Sequence, residues 1–477
     1  MKKKLLIIIP IAVVLILIPF AVVAALAFGL PAQYSNTFLG ELPEKYNLLC
    51  ETDEPKIVII GGSSVAFGLD SAKIEEYTGM KVVNFGLYAT IGTKAMMDLS
   101  KANINAGDIV LLAPEMDKQT LSLYFNEDSV WQGIDGHFGM LSDLGADNYG
   151  AMFSGVWNFA KRKYDFYKTD SAPNPEGVYN KSSFNEYGDI IYPREYNTMV
   201  LGYDPTTTIT LDASIVSEDF IDYVNDYTKW CNKHGAYVYF SFSPMNNMAL
   251  AEGTSDESIY AFFSYLASVL NCEIITDIND CIIDWEYFYD TNFHLNDAGV
   301  QLHTASLIGD LRRAQANTEA LTLSVPEKPE RPEIYVDASL NDTTGFFVYE
   351  QIDGVQTLVG LTDLGKEQEK LTLPLASGGL AVQTLAPNAF AGADKLTEIT
   401  IEENTRLKLI NNGAFADAPN LKKIFLRCMP DDILVGTEGL MTGASGDVKI
   451  YVSRDTYGDF AAHYFWSNYI SIISISG

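Results

Sequence analysis

"IVIIGGSSVAFGLDS", residues 57–71, joins an unbroken aliphatic run to a glycine pair, two adjacent serines and a further glycine at position 68. Four consecutive apolar residues with no polar alternation predict a strand buried on both faces, as in a parallel sheet covered by helices. The glycines predict a tight turn into a helix. A hydroxyl at that turn lies at the carboxyl edge of the sheet, where ligands bind and where helix N–H groups favour negative charge. Nucleotide loops do not fit: GxxxxGK[ST] requires a lysine that is absent here, and the GxGxxG spacing is missing. A serine in this place suits a nucleophile whose product is an oxyanion, and it needs a base.

Outward from this stretch, "KIVIIGG", "KVVNFG" and "GDIVLLAPE" read as strands, and "DSAKIEEYTG" and "TKAMMDLSKANI" as helices. The β, α, β, α, β succession predicts a parallel sheet with helices on both faces. After an aromatic-rich inserted stretch from Leu121 to Met199, the pattern resumes through "FIDYVNDYTKWCNKHG", "AYVYFSFSP" and "CEIITD", and closes with a helix at "NDAGVQLHTASLIGDLRRA". The aromatics of "SGVWNFAKRKYDFYKTD" read as core. In this scheme the serine turn opens the first helix and "FHLND" precedes the last. Of five histidines, His294 is the best placed as base and His303, inside the final helix, is the reserve.

The chain has 477 residues, room for two or three domains. It opens with three lysines and an uncharged run from Leu5 to Leu30, read as a cytoplasmic stub and retained transmembrane anchor rather than a cleaved signal. That places the protein at the cell membrane as a single-pass chain with its bulk extracytoplasmic. Residues 31–55 lead into a domain over 56–315; a proline-rich linker follows at 316–333, then a second domain over 334–477. A formal charge of -30 argues against nucleic acid or an anionic lipid surface as partner. The five cysteines form no CxxC, and buried thiols are favoured over a Cys272–Cys281 bridge. No metal site and no cofactor are indicated.

Beyond the linker, "NAFAGADKLTEITI" from Asn388 aligns with "GAFADAPNLKKIFL" from Gly413 at an offset of 25 residues, within the range of leucine-rich repeats. Each unit has one apolar face that only a neighbour can bury, so a short solenoid is expected. With the closing "VKIYVSRDTYGDFAAHYFWSNYISII", this region resembles bacterial surface leucine-rich repeats of the BspA type.

Gly62-Ser63-Ser64 with Gly68, "NFG" at 84–86 and "DTNFHLNDAG" resemble three blocks of the SGNH/GDSL hydrolase superfamily. The resemblance implies a flavodoxin-like three-layer α/β/α domain. It implies Ser64 as nucleophile, four residues before Gly68, and His294 as general base with Asp290 orienting it. Ser64 and Gly86 N–H groups would form the oxyanion hole, with Asn84, Glu115 and Asn292 as further site candidates. The sequence departs from the family in two places. Glu115 and Asp117 follow the third strand where an asparagine is usual, and three residues rather than two separate Asp290 from His294. These departures resemble envelope proteins of teichoic-acid alanylation and polysaccharide O-acetylation. The expectation is therefore a membrane-anchored serine esterase or O-acyltransferase acting on acylated envelope glycan, with a membrane acyltransferase or wall partner at the repeats. The contrasting expectation is an inactive SGNH-like adhesion protein.

Overall fold

The computed structural model describes residues 17–476 apart from 206, 318, 320, 353, 436–438 and 463–465. The chain forms two compact units: residues to Asn197 with Thr208–Pro329, and Thr198–Thr207 with Glu330–Gly477.

The first unit is mixed α/β. Its elements in order are α1 (Leu42–Glu51), β1 (Lys56–Gly61), α2 (Ser63–Gly68), α3 (Ser71–Thr78), β2 (Lys81–Gly86), α4 (Thr93–Ser100), β3 (Ile109–Ala113), α5 (Glu127–Gly133) and α6 (Tyr149–Thr169). Then come α7 (Glu218–Lys233), β4 (Tyr237–Phe240), α8 (Asp256–Val269), β5 (Glu273–Ile274) and α9 (Asp297–Ala314). The five strands pair in parallel in the order β2-β1-β3-β4-β5. β1 and β3 are buried along their whole length, which is why their sequences are solidly aliphatic. Helix starts follow side-chain chemistry: Asp70 accepts from Lys73 N at α3, Ser217 from Phe220 N at α7, and Asn296 from Gly299 N at α9. One buried ion pair ties the sheet's lower edge. Lys56 Nζ lies 2.9 Å from Asp108, whose other oxygen accepts the Lys56 N–H at 3.0 Å.

Gly61 pairs with Gly86 of β2 and with Ala113 of β3, so the carboxyl ends of these three neighbouring strands finish in one row. The residues that follow each end, Ser63, Tyr88 and Glu115, therefore converge above the sheet.

In the second unit, the short strands Lys370–Thr372, Glu398–Ile401, Lys423–Leu426, Lys449–Val452 and Ile473–Ile475 stack in parallel, with a second sheet behind them. The 25-residue offset is literal in the register: Ile399 pairs with Ile424, while Phe390 and Phe415 stack at 5.7 Å. Leu396, Ile399, Leu421 and Ile424 are buried between successive turns, as stacking requires.

The expected membrane anchor is corrected by this structure. Of the run over 5–30, residues to 16 lie outside the described residues; residues 17–29 are helical. No helix among the described residues is long and apolar enough to cross a membrane. The end of the helix over 17–29 is built into the first unit: Ala27 is buried, its carbonyl accepts from Lys163 Nζ at 3.0 Å, and Phe28 meets Phe138 edge-on at 4.9 Å. Part of the apolar run is thus spent on packing, and the assignment to a single-pass place in the cell membrane falls with the span. All five cysteines are free thiols.

Candidate active site

α2 begins directly at the turn, with Gly62 as its N-cap and Ser63 and Ser64 as its first two residues. Successive helical residues are rotated by about 100°. Two adjacent hydroxyls therefore cannot face one partner, and the structure separates them. Ser63 Oγ lies 2.8 Å from His294 Nε2. Ser64 Oγ is fully buried and has no hydrogen-bond partner among the described residues, so it is Ser63, not the side chain expected to be the nucleophile, that meets the base. Spacing to Gly68 favoured Ser64, but Gly68 serves packing: its carbonyl lies 2.9 Å from His303 Nδ1. This contact, with the burial that lowers the His303 pKa, leaves the reserve histidine in a structural role.

His294 comes from the loop between Tyr289 and α9. The loop is closed by Tyr289 N–H donating to the His294 carbonyl at 2.8 Å and by Phe288 bridging to Leu295. Within it, Thr291 Oγ1 accepts the N–H groups of Phe293 and His294 at 3.2 and 3.0 Å. That turn absorbs the extra residue between Asp290 and His294 and brings Asp290 Oδ1 to 2.8 Å from Nδ1. Asn292 is buried in the same loop, its carbonyl accepting from Asn246 N–H at 3.0 Å.

Asp290 has a second partner: Tyr179 Oη donates to its Oδ2 at 2.6 Å. Burial alone would raise the Asp290 carboxyl, but the adjacent imidazole and the two hydrogen bonds outweigh it and hold the group below the usual carboxylate range. The imidazole is fixed from its face by Phe67, stacked at 3.9 Å and 6°. Arg194 lies over the Phe67 ring at 5.2 Å and donates to the Phe67 carbonyl. Tyr179, Phe67 and Arg194 were not apparent from sequence. Tyr179 lies in the aromatic-rich insertion, where nothing in the spacing separates a ring that packs from a phenol that orients a carboxylate.

The ground behind the nucleophile is polar and tightly paired. Asn84 Nδ2 donates to Val65 O at 3.0 Å and to Asp189 at 2.7 Å, while Asn84 Oδ1 accepts the Gly86 N–H at 3.2 Å. The expected second oxyanion donor is therefore already used inside the network. A Cβ at Gly86 would stand 2.4 Å from Val65 Cβ, which explains the glycine as close packing of β2 against α2. Lys45 Nζ, fully buried, donates to the carbonyls of Asn84 and Gly188 at 3.0 and 2.5 Å. It backs onto a cleft of about 680 Å³ that also includes Glu41, Glu44 and Lys181. That cleft does not reach Ser63.

Glu115 stands where the family resemblance implies an asparagine. Its Oε1 accepts the Ser64 N–H at 3.0 Å and lies 3.2 Å from Ser63 Oγ. Gly62 makes room for it, since a Cβ there would lie 2.7 Å from that oxygen. Burial, reinforced by Asp117, pushes the Glu115 carboxyl up; His294 and the two donors pull it back only in part. The group is 6 % exposed, Ser63 5 % and His294 4 %, so the centre is almost closed. Among the described residues no cluster of histidine, cysteine or carboxylate side chains could hold a metal ion. The arrangement of acid, imidazole and hydroxyl can activate Ser63 for attack on a carbonyl.

No model of a known protein family matches this chain, and no curated protein does. Among solved structures, the leucine-rich repeat protein TpLRR of T. pallidum is similar at 18 % identity over 24 % of this chain and 64 % of its own length, so this chain spans less than two thirds of it. The TM-score is 0.17, too low to carry an argument about either unit.

Proposed function

We propose that the first unit is a serine esterase or O-acyltransferase working through an acyl-enzyme on Ser63. The observation that carries this reading is the continuous chain Asp290 Oδ1, His294 Nδ1, His294 Nε2, Ser63 Oγ, with both contacts at 2.8 Å. The resemblance of the three sequence blocks to the SGNH/GDSL hydrolases supports it, with the nucleophile moved by one residue from Ser64 to Ser63.

In this reading Ser63 Oγ attacks the ester carbonyl carbon while its proton passes to His294 Nε2. The carbonyl electron pair moves onto oxygen, which takes the Ser64 N–H. Asp290 keeps the proton of Nδ1 in place and stabilises the imidazolium. On collapse the alkoxide leaves with the proton from Nε2, and the Ser63 ester remains. Water or an acceptor hydroxyl then repeats the steps in reverse. An ester of a polyhydroxylated acceptor is the substrate class we favour, from the resemblance alone.

A second reading is a binding protein that has lost its chemistry, favoured by the Gly86 N–H being engaged by Asn84 and by Glu115 lying at the serine. Labelling of the full chain with a fluorophosphonate, read by intact mass, separates the two. The wild type and Ser64→Ala should both gain one adduct, whereas Ser63→Ala and His294→Ala should gain none at the same exposure. An adduct that survives in Ser63→Ala, or its absence from every protein across the pH range 5–9, would overturn the acyl-enzyme reading in favour of the binding protein.

A further inference from the structure

We propose that the Glu115 carboxyl is the side-chain donor of the oxyanion hole in its protonated form, and the plug of that hole in its ionised form. The inference rests on the acyl-enzyme reading and deepens it.

The geometry leaves the hole short of donors. The Ser64 N–H donates to Glu115 Oε1 at 3.0 Å and the Gly86 N–H is held by Asn84 Oδ1. One N–H stabilises an oxyanion poorly, and a second donor is worth about 10²- to 10³-fold in rate. Glu115 is the side chain that contacts both the Ser64 N–H and Ser63 Oγ through one oxygen.

Counting protons separates its two states. Nδ1 of His294 faces Asp290, so a neutral imidazole that keeps its proton there presents a bare Nε2 to Ser63. Ser63 has one O–H. With Glu115 protonated, the carboxyl donates to Ser63 Oγ and the serine proton is free to point at Nε2, the direction attack requires. A carbonyl oxygen entering the hole then takes the Ser64 N–H and the Glu115 O–H together; no proton is transferred from Glu115. With Glu115 ionised, its oxygen competes for the serine proton, holds the Ser64 N–H, and repels the developing oxyanion.

Of the groups facing Glu115, Asp117 favours the neutral form, while His294 and the Ser63 and Ser64 donors oppose it. Asp117, two residues on, repels a second negative charge, and Tyr88 after β2 is a neutral phenol whose ionisation Glu115 opposes. From α2 come the Ser63 and Ser64 donors, and from the loop before α9 comes His294, all of which oppose protonation. Ala89 closes the remaining side against Gly62. Burial is the largest influence and outweighs them, raising the carboxyl.

The test is the rate of fluorophosphonate labelling of full-length protein from pH 5 to 9, for wild type, Glu115→Gln and Glu115→Ala, with folding verified by thermal denaturation. Glutamine keeps an acceptor for the Ser64 N–H and a permanent donor for the oxyanion. The wild-type rate should decline by about tenfold per pH unit on the alkaline side, as a single ionisation demands, and Glu115→Gln should stay level there. Glu115→Ala should label about 100-fold more slowly than the glutamine variant throughout. Matching pH profiles for wild type and Glu115→Gln, or an alanine variant as fast as glutamine, would overturn the role of Glu115 while leaving Ser63 as nucleophile. No labelling of any of the three folded proteins would overturn the acyl-enzyme reading, and this inference with it.

Discussion

At the scale of single residues, the site is decided by which of two neighbouring hydroxyls a one-turn helix turns toward its base, and by what holds the other side of that base. Tyr179 is the least expected part. Its hydrogen bond to Asp290 Oδ2 leaves Oδ1 for His294, so the phenol fixes the carboxylate without touching the reacting atoms. Burial, then the adjacent Asp290, pushes the phenol well above its usual range, which keeps it a donor. Tyr179→Phe should lower kcat for an activated ester such as p-nitrophenyl acetate by about tenfold, about 1.4 kcal/mol in barrier, with KM unchanged. A variant that loses thermal stability but keeps kcat would assign Tyr179 to packing instead. The histidine and its aspartate were legible in sequence because they flank a helix start in a chain with few histidines. The choice between Ser63 and Ser64 was not, because it depends on where α2 begins, and a register of one residue rotates every side chain by about 100°. Glu115 was visible only as a departure. Its contact with the Ser64 N–H needed the three strand ends to be in register.

At the scale of elements, β1, β2 and β3 were legible because "KIVIIG", "KVVNFG" and "IVLLA" are short, mainly apolar runs without the spacing of an amphipathic helix. α1 was not, since its sequence buries charged residues. Glu41, the N-cap of α1, is 5 % exposed, and Lys45, one turn on, is fully buried beneath Asn84. Burial pushes the Glu41 carboxyl up to about 7, with Lys45 and Lys181 pulling it back in part. The sign of the linkage is fixed by that direction. Below the unfolded value of 4.5 the carboxyl is protonated in both states and its contribution to stability is whole; as pH rises towards about 7 the unfolded chain ionises first and stability is lost. Urea denaturation of the wild type should show declining stability of the first unit between pH 4.5 and 7, and Glu41→Gln should be flatter and more stable at pH 8. The gain is bounded at about 3 kcal/mol. Parallel curves for the two proteins would mean that Glu41 is ionised in the folded state.

For the whole molecule, the question is whether the repeat unit is needed by the site. Every group assigned to the chemistry, with every contact given for it, belongs to the first unit. The repeat unit keeps its own core, in which each turn supplies the apolar face that covers the next. Its architecture was legible because a repeat states its contacts twice: Phe390 and Phe415 align in sequence and stack in space. What sequence could not show is that Thr198–Thr207, far from the repeats along the chain, groups with them, and that Arg331 donates to the carbonyl of Val200 at 2.7 Å. Separate cores predict separate melting. Phe415 is buried, and replacing it with alanine removes a ring from the stack and opens a cavity that costs about 3–5 kcal/mol. Calorimetry of full-length Phe415→Ala should lower one of two thermal transitions and leave the other, together with fluorophosphonate labelling of Ser63, as in the wild type. A single transition that moves as a whole, with labelling lost alongside it, would make the repeats part of the fold on which the triad depends, because cooperativity across both units requires that neither core be stable without the other.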